Sequence, residues 1–315
     1  MRTVVTMGEL LIDFVPEENG LPLAAVPAFR KVPGGAPANV AAAVAKLGGR
    51  ARFVGKVGDD PFGHFLRAAL EEAGVDTRAL LLTPQVKTTL AFVSLRADGE
   101  RDFLFYRDPG ADTLLSPEEL DNAWLEDAAI FHFGSVSLAA EPARSATREM
   151  ARRARERGLL VSYDPNLRPA LWPSAAAMRE EAASAAVLAD VVKVSEEELE
   201  ALAGDKGPAF FFDRGVSLLV VTRGKDGCAY HTPHAAGAVP GFAVHAVDTT
   251  GAGDGFVGGL LYQLAACAAA RPWEDEAWLR RALRFANAVG ALATTKRGAI
   301  PALPTHEEVS AFLGG

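Results

Sequence analysis

The chain has 315 residues, 49% of them hydrophobic, and its 32 Lys and Arg against 40 Asp and Glu give a formal net charge of −8. That length and apolar content can bury a substantial core, as one large α/β domain or as a domain with an accessory piece. The acidic balance argues against a nucleic-acid partner, which would need a basic surface. Two cysteines, Cys228 and Cys267, make no disulfide framework and imply a reducing, cytoplasmic setting. No secretory leader or apolar run of membrane-spanning length is seen, so a soluble protein with no membrane partner is expected.

Residues 3–12 read as a strand with a glycine break at Gly8. Asp13 stands where that strand emerges, either as a turn former or as a ligand contact at the carboxyl end of a buried strand. Residues 14–33 are rich in proline and alternate poorly, so they read as an excursion from the core. Gly34 and Gly35 then permit a tight turn, Pro37 suits an early helical position, and 38–47 forms a helix of small residues able to pack closely on a sheet. Asn39, early in that helix, is either a capping or solvent-facing amide, or a donor and acceptor offered to a polyol. A strand over 51–57 and a helix over 61–73 complete an α/β unit.

From Lys87 the texture changes. Residues 88–95 and 101–107 are strand-like with a turn at 96–100, a hairpin with no helix between its strands. Together with 14–33 it predicts a small antiparallel sheet that stands off the main domain as a lid. The expected division is a core of 1–13, 34–86 and 109–315 and a lid of 14–33 and 87–108. Such a flap can close over a substrate or pair with another subunit, and its two exposed edges predict a homodimer.

Beyond Glu118 the alternation returns, with strands near 130–133, 159–163, 191–194 and 218–222 and helices near 141–157, 174–188, 196–203 and 274–296. That order demands a mainly parallel sheet covered by helices on both faces. Ala146, Met150 and Ala154 mark the buried stripe of the Arg-rich helix, whose arginines form a solvated face. Asp164, Asn166 and Arg168 gather a carboxylate, an amide and a guanidinium at one strand end. Glu196, Glu197 and Glu198 open a helix, where acids complement the dipole. Thr222 to Gly227 is a strand followed by a glycine turn, open to close approach by a nucleotide.

The stretch VDTTGAGDGF, residues 247–256, organises the rest. The run 241–246 alternates like a strand and 255–270 reads as a helix, so the glycines sit at a strand-to-helix turn. Gly251 and Gly253 allow φ > 0, and the first N–H groups of the helix lack internal partners, which makes an anion site. Asp254 at its mouth is either a first-turn acid serving the dipole or a base that takes a proton from a hydroxyl attacking a phosphoryl group. A dinucleotide fingerprint would need glycine in place of Phe256, and a Walker loop fails because Gly224-Lys225 is followed by Asp226.

Nearly the whole chain resembles the ribokinase-like (PfkB) carbohydrate kinases, and within them it is most similar to the fructokinases. The matching segments are GELLIDF at 8–14, PGGAPANVA at 33–41, GKVGDDPFG at 55–63, DGERDFLFYRDPGAD at 98–112, SYDPNLRPALWPS at 162–174, VVKVSEEE at 191–198 and VDTTGAGDGFVGG at 247–259. The resemblance implies an α/β, Rossmann-type three-layer sandwich with a β-sheet lid, and ATP-dependent phosphorylation of a sugar hydroxyl with Mg²⁺.

By the same resemblance Asp254 is the general base, and the peptide N–H groups of Gly251, Ala252 and Gly253 form the anion hole. Asp13, Gly34, Gly35, Asn39, Phe103, Arg107 and Arg168 hold the sugar. Lys193, Ser195 and Glu198 lie near the phosphates or the water shell of Mg²⁺, although Ser195 stands where many relatives have Asn. ATP lies along Thr222, Gly224 and Gly227 with Asn287 near the adenine. Asp248 and Thr250, with carbonyls around Ala293, Lys296 and Gly298, are the positions for K⁺. Fructose is the expected acceptor, with aminoimidazole riboside and 2-keto-3-deoxygluconate as alternatives of the same chemistry. A catalytically silent sensor is the alternative of another class, against which an intact base and glycine turn speak.

Overall fold

The computed structural model describes residues 2–18, 20–95 and 101–314, and of 94–95 and 101–103 the backbone. In chain order the strands are β1 (Thr3–Met7), β2 (Leu11–Pro16), β3 (Phe29–Gly34), β4 (Arg50–Gly58), β5 (Leu80–Thr83), β6 (Leu90–Leu95), β7 (Arg101–Tyr106), β8 (Ala128–Gly134), β9 (Leu160–Asp164), β10 (Val191–Ser195), β11 (Leu218–Thr222), β12 (Cys228–His231) and β13 (Ala236–Val239). The helices are α1 (Ala36–Lys46), α2 (Pro61–Glu72), α3 (Ala143–Glu156), α4 (Ala175–Ala185), α5 (Glu196–Ala203), α6 (Ala209–Phe212), α7 (Ala252–Ala266), α8 (Glu276–Ala293) and α9 (His306–Gly314).

The large sheet runs β13-β12-β11-β10-β9-β8-β1-β4-β5. It is parallel from β11 to β5, with β12 and β13 added antiparallel at one edge. Its central strands are buried on both sides, as a parallel sheet between helix layers requires, while edge strand β13 is largely exposed. Val4, Ile130, Val191 and Val220 face the layer holding α1, α2, α7 and α8, whereas Val5, Phe131, Val192 and Val221 face α3 to α6. Each such fully buried side chain contributes roughly 1.5–3 kcal/mol. On α3, Ala146, Met150 and Ala154 are buried as the spacing predicts, and its arginines pair with Glu149, Glu156 and Glu181.

Close contact between α1 and α7 depends on small residues. A Cβ added at Gly258 would come within 2.3 Å of Ala43 Cβ, so a larger residue there would push the two helices apart. This contact brings the first turns of both helices to the carboxyl edge of the sheet, where open α/β sheets bind ligands.

The second sheet has the order β3-β2-β6-β7. It is mixed and not wholly antiparallel, because β2 and β6 run parallel at its centre. Phe14 stacks on Phe92 at 4.7 Å, with Phe29 and Tyr106 set edge-on to the same ring. The expected single strand over 3–12 is therefore two strands in different sheets, separated at Gly8. The turn expected at 96–100 lies outside the described residues.

The run 241–246 is not a strand. Its backbone is drawn against the turn after β11, where a Cβ at Gly241 would lie 2.2 Å from the Lys225 carbonyl, and Phe242 packs on Phe312 with ring centroids 5.0 Å apart. The alternation there reflects a cleft wall with a packed and an open side, a pattern that periodicity cannot tell from a sheet edge. Among the described residues no helix is long and apolar enough to cross a membrane.

Candidate active site

Three neighbouring strands deliver polar residues to one edge: β9 ends in Asp164, β10 in Ser195 and β11 in Thr222. Facing them is the start of α7. Its N-cap, Gly251, has a φ of 76°, in the left-handed region that favours glycine, and no side chain caps the helix. The first-turn N–H groups of α7 therefore face the cleft without a capping side chain, although Ala252 N–H lies 3.3 Å from the Thr249 carbonyl.

Gly253 does not share the positive φ expected of it, because it already lies within α7. A Cβ there would make only ordinary contact with Lys193 Nζ, at 3.4 Å. Nothing in the protein itself thus demands a bare backbone at 253, and the absent side chain leaves room for a solute.

Asp254 is buried, and its Oδ2 accepts a hydrogen bond of 2.7 Å from Asn39 Nδ2. Burial pushes its carboxyl up to about 6; the Asn39 hydrogen bond and the Lys193 and Arg168 charges oppose the rise, while Asp164 adds to it. Lys193 is itself buried, 3.1 Å from Asp164 Oδ2. Burial disfavours its charge, yet the Asp164 and Glu198 carboxylates outweigh that and hold it above the ordinary lysine range. The site so joins a buried carboxyl pushed up to about 6, a buried ammonium paired with Asp164 and an uncapped helix N-terminus.

Next to it lies a cleft of ≈ 880 Å³, lined by Thr222, Gly224, Gly227 and Asn287 and ending on Ala252 and Gly253. Gly227 has a φ of 94°, and a Cβ on it would strike the Val239 carbonyl at 2.2 Å. The Asn287 amide donates to the Val239 and Pro240 carbonyls at 3.2 and 3.1 Å, which fixes the opposite wall.

The sequence profile described as pfkB family carbohydrate kinase matches residues 1–306. The chain belongs to the pfkB family of carbohydrate kinases. Among its relatives, probable fructokinase-3 of Arabidopsis thaliana is 52% identical, over 98% of this chain and 91% of that protein. A fructokinase from Xylella fastidiosa, solved with bound ATP, superposes with a TM-score of 0.92 at 42% identity and covers 99% of this chain and 98% of its own. A fructokinase double mutant from Vibrio cholerae, solved with fructose, ADP and a potassium ion, gives 0.90 at 39% identity, with 99% of this chain and 98% of that chain covered.

In this carbohydrate kinase Asp13, Asn39 and Arg168, three of the residues expected to hold the sugar, gather around Asp254 from different elements. Asp13 lies against Gly34, where a Cβ would fall 2.0 Å from Asp13 Oδ2. Burial pushes its carboxyl up to about 7, opposed by Arg168 and reinforced by Asp254. Gly35, with a φ of 113°, leads into α1 and hence to Asn39, whose Oδ1 is buried without a partner. Arg168 bonds the Leu167 carbonyl at 3.0 Å, and its charge is felt by both Asp13 and Asp254. Arg107 is buried and committed to Asp112 at 2.6 Å and to the Val136 carbonyl at 3.3 Å. Phe103 pairs with Val93 across β6 and β7, and its side chain lies outside the described residues.

Ser195 has a structural task. It caps α5 with a reciprocal pair of bonds to Glu198, whose Oε2 accepts Ser195 N–H at 2.9 Å while its Oε1 accepts Leu167 N–H at 2.9 Å. Asp248 likewise accepts the N–H groups of Thr250 and Gly298, each at 2.9 Å, and ties the loop before α7 to the loop after α8. Two features of this region were not assigned from the sequence. Asp164 and Lys193 were each visible in the sequence, but their pairing was not. Glu9 was not singled out in the sequence, and it is buried.

Proposed function

We propose that the protein is a fructokinase, transferring the γ-phosphoryl group of ATP to the C6 hydroxyl of D-fructose. The reading is carried by the buried carboxyl of Asp254, set in the first turn of an uncapped helix that closes the end of a nucleotide-sized cleft. The fructokinases of high identity, one with bound ATP and one with fructose and ADP, support it.

Asp254 accepts the hydroxyl proton, the C6 oxygen forms its bond to the γ-phosphorus in line, and the bond to the bridging oxygen breaks to leave ADP. The N–H groups of Gly251, Ala252 and Gly253, with Lys193 beside them, meet the charge that spreads over the transferring oxygens. Asp13, Gly34, Gly35, Asn39, Arg168 and the lid residues Phe103 and Arg107 hold the sugar. ATP lies along Thr222, Gly224, Gly227 and Asn287.

Mg²⁺ would supply charge neutralisation on the phosphates. Among the described residues no group of three or more His, Cys, Asp or Glu side chains forms a metal cage. Glu198, whose carboxylate lies close to Lys193 and accepts the Leu167 N–H, would lie in the water shell of that ion. Asp248 and Thr250, with carbonyls around Ala293, Lys296 and Gly298, would hold K⁺; the potassium-bound relative supports this. A homodimer through the lid is supported by the exposed Leu104 and Tyr106 on edge strand β7, and a cytoplasmic setting by the free thiols of Cys228 and Cys267.

An ADP-coupled assay over fructose, aminoimidazole riboside and 2-keto-3-deoxygluconate tests the reading. Fructose should give the highest kcat/KM. No turnover of fructose would overturn it.

A further inference from the structure

Glu9 lies in the connection from β1 to β2, where the chain leaves the large sheet for the small one. It is 4% exposed, and no step of the proposed transfer uses it. Its Oε1 accepts the Ala36 N–H at 2.9 Å, and its own carbonyl oxygen occupies the space a Cβ on Gly35 would need, at 2.3 Å. Backbone and side chain of one residue thus grip Gly35 and Ala36 from two directions. Its other oxygen, Oε2, is buried without a hydrogen-bond partner. The charges facing it are those of Arg107 and Asp112, which pair on the return from β7, and Asp112 also accepts the Thr89 hydroxyl where the chain enters β6. Every passage of the chain between the sheets therefore meets in one buried polar cluster.

The double-glycine turn gripped by Glu9 is the piece of backbone that carries Gly34, beside Asp13, and Asn39, bonded to Asp254. α1 has no side-chain cap, so Ala36 N–H depends on Glu9 from elsewhere in the chain. We infer that Glu9 is a positioning residue: it clamps the N-terminus of α1 and so holds the sugar-binding turn in register with the entry to the lid. The role needs reach and an acceptor oxygen, not charge. Burial pushes the Glu9 carboxyl up to about 7, so part of the population is protonated in any case. The inference rests on the kinase reading for its kinetic consequence only.

The test compares full-length wild type, Glu9→Gln and Glu9→Asp. Glutamine keeps an oxygen within reach of Ala36 N–H, whereas aspartate stops one methylene short. With fructose varied at saturating ATP, Glu9→Asp should raise KM for fructose on the order of tenfold while KM for ATP stays within about twofold, and Glu9→Gln should match wild type. Hydrogen–deuterium exchange of peptides over 34–41 reads the clamp without any sugar, and exchange should rise at least threefold in Glu9→Asp only. Unchanged exchange, or equal damage from both variants, overturns the clamp. If Glu9→Asp does not fold, Ala36→Pro removes the same N–H at a helix start that tolerates proline, and the same results are required of it. A wild type inactive on fructose would sink the kinase reading, while the exchange result would still decide the clamp.

Discussion

Asn39 Nδ2 stands 2.7 Å from Asp254 Oδ2, a hydrogen bond between the first turns of two helices 215 residues apart in sequence. In the proposed mechanism it leaves Asp254 Oδ1 for the substrate hydroxyl, and it favours the ionised carboxylate against its burial. A base with a pKa near 6 loses activity as it is protonated, so kcat/KM should fall about tenfold per pH unit below 6 and level off above 7. In Asn39→Ala the acidic limb should move toward higher pH, with the largest loss near pH 6. A limb that stays in place while KM rises would assign Asn39 to the sugar alone.

Replacing Asp254 with Asn keeps the shape and removes the base. Turnover should drop by about 10²–10⁴ while fructose binding, measured calorimetrically, stays within a few-fold. Comparable activity in the variant would rule out the proposed proton transfer.

Three carboxyls, those of buried Glu9 and Asp254 and half-buried Asp13, have folded values above their ordinary ones: Glu9 and Asp13 at about 7 and Asp254 at about 6. Between roughly pH 4 and 7 the folded state thus binds more protons than the unfolded chain, so these groups lower stability as pH rises through that window. Glu9→Gln removes one of them. It should match wild type near pH 4 and be more stable at pH 8, by on the order of 2–3 kcal/mol, in urea unfolding. A variant less stable at pH 8 than at pH 4 relative to wild type would contradict the sign.

Gly258 holds α7 against α1, with no room for a side chain. Gly258→Val should cost about 1–3 kcal/mol by overpacking and lower kcat as well, because it separates Asn39 from Asp254. Thermal unfolding and steady-state rates check both effects. At Gly227 the cost should fall elsewhere: Gly227→Ala meets both a positive φ and the Val239 carbonyl, so KM for ATP should rise several-fold with KM for fructose little changed.

Much of this site is local chemistry and could be read along the chain. The glycine at 251, the acid at 254, the small-residue helix after Gly34-Gly35 and the strand–helix alternation each depend on spacings of a few residues, and the structure keeps them. Where local pattern and tertiary setting diverge, the pattern had more than one physical cause: alternation over 241–246 suits a cleft wall as well as a strand.

The sequence by itself determined the α/β architecture and the glycine turn that opens α7, because period and turn propensity are properties of neighbouring residues. Only the tertiary structure decided which charges meet. Lys193 with Asp164, Arg107 with Asp112, Asn39 with Asp254 and Glu9 with Ala36 are pairings made by sheet register and helix packing over tens to hundreds of residues. Burial at those meeting points then sets the protonation of each carboxyl, a quantity that no spacing in the chain encodes.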